Sequence, residues 1–116
     1  GAEVFVSETR FETDVLARTS FREKFPSAQI VPCGAGREND ILTTQVEIIA
    51  PCAVGGTINQ AVIPLIKPSV KIICGGANNI LADEVRDGEL LRRRGIVFVP
   101  DFACNWMGIV NSANEA

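Results

Sequence analysis

Three loops hold the residues best suited to chemistry. Pro51 to Gly56 (PCAVGG), Gly75 to Asn79 (GGANN) and Pro100 to Asn105 (PDFACN) each follow a short apolar run. In an open parallel sheet, such strand ends line the usual ligand crevice. Gly55 and Gly56 permit close backbone approach, and Asn78 and Asn79 offer both hydrogen-bond donors and acceptors. A rim of small polar residues on an apolar scaffold suits an uncharged sugar or amide group better than a naked metal ion. The plainer reading is that GG and NN simply make turns. Glu8 follows another apolar run, EVFVS. A carboxylate there can accept hydrogen bonds from the two ribose hydroxyls of a dinucleotide and repel a ribose phosphate. It also reads as a solvated strand-end acid. Asp101, after VFVP, reads equally as a functional residue and as the cap of the next turn.

Other chemistry is excluded or thinly supported. The chain has no histidine, which removes the usual acid-base residue and histidine metal ligands. Its lysines, Lys24, Lys67 and Lys71, have no compelling carboxylate partner in sequence. Gly34 and Gly36 share a GxG spacing, but the third glycine of a dinucleotide fingerprint is missing. Cys33, Cys52, Cys74 and Cys104 are widely spaced, with no CxxC pair, and read as reduced, mostly buried thiols rather than a zinc site. No catalytic set and no metal site is expected. The 116 residues carry 11 basic and 14 acidic side chains, a net charge of -3 with no basic field for nucleic acid. No apolar stretch approaches a membrane span. The start, GAEVFVSET, reads as neither a signal peptide nor a basic targeting arm, so a cytoplasmic location is the default expectation.

These loops need a scaffold. Short β-branched or aromatic runs predict strands at 3–7, 28–32, 46–50, 70–74 and 96–99. Phe11 to Phe25 predicts a helix with Phe11, Val15, Phe21 and Phe25 on one side, possible caps at Thr13 and Asp14, and Pro26 as its stop. Ile41 to Gln45 reads as a turn or short helical piece. Thr57 to Leu65 reads as a short helix capped by Thr57 or Asn59. Asp83 to Arg94 predicts a helix packed through Val85 and Leu90 or Leu91, stopped by Gly95, with early acids and late arginines complementing its dipole. Its acids and Arg92 to Arg94 read mostly as a solvated face. A further helix begins at Asp101. Apolar strands alternating with helices fit an α/β fold with a mainly parallel sheet covered on both faces, in one domain spanning 1–116.

APCAVGGTIN, CGGANN and GIVFVPDFACNWMGIVNSANE occur in this order. Together they resemble the nucleotide-binding domain of the leucine, phenylalanine and valine dehydrogenases, relatives of glutamate dehydrogenase, from Gly1 to Glu115. The resemblance implies an incomplete Rossmann-like three-layer fold that lacks the first strand and its glycine-rich turn. It places Glu8 where the family holds the adenosine ribose, which implies NAD rather than NADP. It sets Cys52, Ala53 and Val54, after Pro51, beside the cofactor. Asn78 and Asn79 fall near the nicotinamide ribose, and Asn105 falls near nicotinamide and substrate. The family oxidatively deaminates an L-amino acid to a 2-oxo acid.

Two departures limit what carries over. The family's N-A-G-G segment reads here Asn105, Trp106, Met107, Gly108, with two small positions made large. The family's catalytic lysine and aspartate belong to a substrate domain with no counterpart in this sequence. The expectation is a partial NAD-binding domain without catalysis of its own, completed by a homo-oligomeric contact or a complementary segment that covers open sheet edges. The alternative is a noncatalytic homo-oligomeric or partner-binding module derived from that domain, with Trp106 and Met107 as interface or core residues. Neither nucleic acid nor membrane is expected as a partner.

Overall fold

The computed structural model describes residues 1–104. The chain forms two compact units that divide between Thr44 and Gln45.

In the first unit, β1 (Phe5–Val6) pairs in parallel with β2 (Gln29–Ile30), Phe5 opposite Gln29 and Val6 opposite Ile30. Between them lie α1 (Arg10–Thr13) and α2 (Val15–Lys24), and a 3-10 turn at Ile41–Thr43 follows β2. The single helix expected over 11–25 is broken at Asp14, whose backbone is extended at φ -114°. Its carboxylate accepts from the Ala17 amide at 2.9 Å and so caps α2. That hydrogen bond, with the Arg10 side chain behind it, holds the Asp14 carboxyl below the usual range. Phe11, Phe21 and Phe25 do share a side, with ring centroids 5.1 Å apart at both steps. Val15 does not join them and is 62% exposed, because the break resets the helical phase.

In the second unit, β3 (Ile48–Ile49), β4 (Ile72–Ile73) and β5 (Val97–Phe98) form an all-parallel sheet in that order. Ile48, Ile72 and Val97 align across it, as do Ile49, Ile73 and Phe98. The two-residue side-chain period then sorts the faces. Ile49 and Ile73 are buried, while Ile48 and Val97 are each 59% exposed. Ile58, Ile63, Ile66, Ile80 and Leu91 are the other largest fully buried apolar side chains of this core.

The helix expected over Thr57 to Leu65 does not form. Ile58 instead makes an isolated parallel bridge to Leu81, and only Ile63–Leu65 turns as a 3-10 helix. Asn59 explains the difference. Its Oδ1 accepts from the Ala61 and Val62 amides, and its Nδ2 donates to the Gly56 carbonyl, closing a local turn. Pro64 then removes an amide that a longer helix needs.

The helix α3 (Glu84–Arg93) forms as expected, with Asp83 capping its start and Gly95 at φ 72° just past its end. Its packing face differs from the expectation. Leu91 is buried, but Val85 is 85% exposed. Asp87, expected on the surface, is fully buried. Asp83 Oδ1 accepts from the Arg86 amide while Asp87 Oδ2 accepts from the Asp83 amide, a reciprocal capping arrangement. The Arg86 guanidinium supplies the countercharge at 2.9 Å and holds the Asp87 carboxyl below its ordinary range. The arginine run also divides. Arg92 and Arg93 pair with Glu89, whereas Arg94 donates to the carbonyls of Ile63 and Ile66 and ties the 3-10 turn to the end of α3.

Candidate functional site

The parallel sheet of the second unit brings three strand ends to one rim. Pro51 to Gly56 follows β3, Gly75 to Asn79 follows β4, and the short helix α4 (Asp101–Cys104) follows β5.

The first two loops lie backbone against backbone. The Ala77 amide donates to the Pro51 carbonyl at 3.1 Å, and the Gly56 amide donates to the Asn79 carbonyl at 2.8 Å. Glycine is what permits this approach. A Cβ on Gly55 would stand 2.7 Å from the Asn78 carbonyl oxygen, and one on Gly75 would overlap the Pro51 backbone. The glycines therefore act first as packing devices. Cys52, Ala53 and Val54 are exposed at the turn between Pro51 and Gly55, with Val54 67% exposed.

Asn79 joins all three segments. Its carbonyl is engaged by Gly56, and its amide donates to Asp101 Oδ2 at 3.0 Å. Its backbone is left-handed at φ 50°, a conformation asparagine tolerates better than most residues. With both backbone groups occupied, the exposed side-chain amide is what Asn79 can present to a ligand. Asn78 is exposed beside it. The structure gives Asp101 the capping role and a structural tie beside it. One carboxylate oxygen caps the turn by accepting from the Phe102 amide at 2.9 Å, and the other holds the Asn79 loop.

A contact that the sequence did not disclose lies at the same rim. Cys74 Sγ and Cys104 Sγ approach to 3.0 Å. The sequence reads all four cysteines as reduced, mostly buried thiols; none is buried, Cys52 being exposed and the others half-buried, and Cys74 and Cys104 stand 30 positions apart. The Cys104 hydrogen bond, and then burial, push the Cys74 thiol above its ordinary pKa.

Glu8 belongs to the first unit. It is exposed two residues after β1, and its Oε1 accepts from the Arg10 amide at 3.0 Å and from the Thr9 hydroxyl at 3.2 Å. Its local work is thus to cap the entry to α1, and its other carboxylate oxygen accepts nothing from the hydrogen bonds just named. Asn105, Trp106 and Met107 lie outside the described residues. Among the described residues no cluster of histidine, cysteine, aspartate or glutamate is arranged to hold a metal ion. No described helix is long and apolar enough to cross a membrane.

Comparison with known proteins gives one consistent answer. Residues 10–116 match the family model for glutamate/leucine/phenylalanine/valine dehydrogenase. The chain is 38% identical over 115 residues to leucine dehydrogenase of Geobacillus stearothermophilus, covering 99% of this chain and 28% of that protein. It is 41% identical over 113 residues to L-tryptophan dehydrogenase of Nostoc punctiforme, covering 97% and 29%. The crystal structure of L-tryptophan dehydrogenase from Nostoc punctiforme superposes with a TM-score of 0.79 at 32% identity, over 97% of this chain and 31% of that one. The chain therefore spans less than a third of the length of these relatives.

Proposed function

The chain belongs to the glutamate/leucine/phenylalanine/valine dehydrogenase family, and from that premise we propose that it is a partial NAD-binding domain of an amino-acid dehydrogenase, not catalytic by itself. The observation that carries this reading is the rim of the second unit. Three strand-end segments are joined through Asn79, and its exposed side-chain amide stays available for a neutral polar ligand. Such a rim fits the amide and ribose of a nicotinamide nucleotide. Ala53 and Val54 offer small apolar contact to a ring, and Asn78 and Asn79 offer donors and acceptors to hydroxyl and amide groups.

NAD, when bound, accepts the hydride that oxidative deamination releases from an L-amino acid. This chain's residues would orient the cofactor and exclude water around it. Cys52, Ala53 and Val54 would line one side, Asn78 and Asn79 would hold the nicotinamide ribose side, and Asn105 would face nicotinamide and substrate. Glu8 is assigned to the adenosine ribose by family resemblance, and its exposure is compatible with that task. The lysine base and the clamp for the substrate carboxylate would come from outside these 116 residues.

A second reading is favoured by a separate observation. Ile48 and Val97 leave an apolar row on one face of the β3-β4-β5 sheet. Such side chains suit a covering surface, either a second copy of the chain or a complementary segment. In this reading the chain is a noncatalytic homo-oligomeric or partner-binding module.

Isothermal titration separates the two. Saturable NAD binding that weakens in Asn79→Gly, which keeps the left-handed backbone, supports the cofactor reading. Heat equal to buffer dilution, together with a self-associated species in analytical ultracentrifugation, supports the module. NADH formation with leucine, phenylalanine or valine is expected to be absent for the chain alone.

A further inference from the structure

Three cysteines follow the strand ends of the second unit, and two of them are in contact. Cys52 follows β3, Cys74 follows β4, and Cys104 closes α4 beyond β5. Cys74 Sγ and Cys104 Sγ are 3.0 Å apart, and a disulfide bond is about 2.05 Å long. Closing the pair therefore requires about 1 Å of sulfur movement, a small side-chain adjustment.

The surrounding fold holds the pair in place. Ile73 and Phe98 are register partners in β4 and β5, which sets the two chain segments side by side one residue before Cys74 and six before Cys104. Beyond them, the Asn79 amide and the Asp101 carboxylate join the same two segments again at 3.0 Å. Two independent ties thus hold together the segments that carry the two thiols, with Cys74 between the ties and Cys104 three residues past Asp101. Cys104 Sγ also lies 3.8 Å from the Val99 carbonyl, which keeps it over β5. Cys52 is exposed, and Cys33 belongs to the other unit.

We propose that Cys74 and Cys104 form a reversible dithiol–disulfide pair that staples the Gly75 to Asn79 loop to α4, with a low-molecular-weight disulfide as oxidant. The Cys104 thiolate attacks one sulfur of the oxidant, a new S–S bond forms, and one small thiolate leaves and takes up a proton. The Cys74 thiol then loses its proton to solvent, and its thiolate attacks Cys104 Sγ. The mixed disulfide breaks and the second small thiol departs. Two protein thiols and one small disulfide become one protein disulfide and two small thiols. Cys74 is the resolving partner because Cys104 and burial disfavour its thiolate. Oxidation would replace a movable contact at the rim with a covalent one. The cross-link depends only on the thiol geometry, so it stands or falls apart from NAD binding.

The test is titration of the intact 116-residue chain with oxidised glutathione, read by thiol counting, intact mass and non-reduced peptide mapping. Free thiols are expected to fall from four to two. The protein should lose about 2 Da, and mapping should return one linkage, Cys74 to Cys104, reversed by reduced glutathione. Half-oxidation of the folded chain should need at least about tenfold less oxidised glutathione than the urea-unfolded chain, because the fold supplies the effective concentration. Cys33→Ser, in the other unit, should fall from three free thiols to one and return the same Cys74–Cys104 linkage, and Cys74→Ser should stop at a glutathione adduct on Cys104. A count that stays at four, a linkage through Cys52 or Cys33, or equal oxidation of folded and unfolded chains would overturn the proposal.

Discussion

Replacing Gly75 by alanine adds one methyl group where two loop backbones meet. The new Cβ would stand 2.6 Å from the Pro51 nitrogen and 2.7 Å from its carbonyl carbon. Neither atom belongs to a flexible side-chain end that could rotate away. Relief requires β3 and β4 to part at their ends, which also breaks the 3.1 Å hydrogen bond from the Ala77 amide to the Pro51 carbonyl. Overpacking of this kind costs roughly 1–3 kcal/mol, and the lost buried hydrogen bond adds about 1 kcal/mol. A total near 3 kcal/mol corresponds to a fall in Tm of roughly 15 °C for a domain of this size. Thermal unfolding followed by circular dichroism reads it directly. Gly88→Ala is the matched comparison. Gly88 lies inside α3, where a Cβ meets only Leu81 Cδ1 at 3.9 Å. That change is expected to stabilise by about 0.5–1 kcal/mol through helix propensity alone. A Gly75→Ala protein that melts within about 2 °C of the parent would refute the close-approach argument.

Asp87→Asn keeps the shape but turns an amide donor toward either Arg86 or the Asp83 amide, and should cost roughly 2–3 kcal/mol in urea denaturation. Arg94→Met removes both donations to the Ile63 and Ile66 carbonyls and should cost about 2 kcal/mol by the same assay. Acid should destabilise the fold in a defined window. The Asp14 and Asp87 carboxyls lie below 3.8, and the Arg92 and Arg93 guanidiniums bring Glu89 down from 4.5 to about 2. Each folded-state value is depressed, so the stabilisation is complete above the unfolded values and is lost as pH falls through the folded ones. Urea midpoints should therefore hold level from pH 7 to about pH 5 and drop between pH 4.5 and about pH 2. A midpoint still level at pH 3 would show that these pairs do not stabilise the folded state.

What could be read from the sequence was what local chemistry decides. Asp83 before an amphipathic run and Gly95 after it bound α3, because caps act over one turn. The five strand positions were legible, and each contains a pair of ladder residues, because continuous β-branched runs suit a parallel sheet. Thr57 to Leu65 misled because its apolar spacing is helical while its turn is set by a side chain, Asn59, that competes with the helix backbone. Asp87 was placed on the surface by type. Its burial depends on reciprocal capping with Asp83 and on the neighbouring guanidinium, and residue type alone shows neither. At the rim, the loops themselves were visible from glycine and asparagine content. The ties between them were not, since Asn79 with Asp101 and Cys74 with Cys104 span 22 and 30 positions. Pairing of that range is created by strand register, which no local pattern encodes.

The proposed function requires the strand-end rim of the second unit to meet a nicotinamide nucleotide. Amide chemical-shift mapping of the isotope-labelled chain during NAD addition tests that contact residue by residue. The expected result is saturable shifts centred on Ala53, Val54, Asn78 and Asn79, with a much weaker response in Asn79→Gly. Amides at those four positions that stay fixed at saturating NAD, or that shift no more than the exposed helix α2, would contradict it.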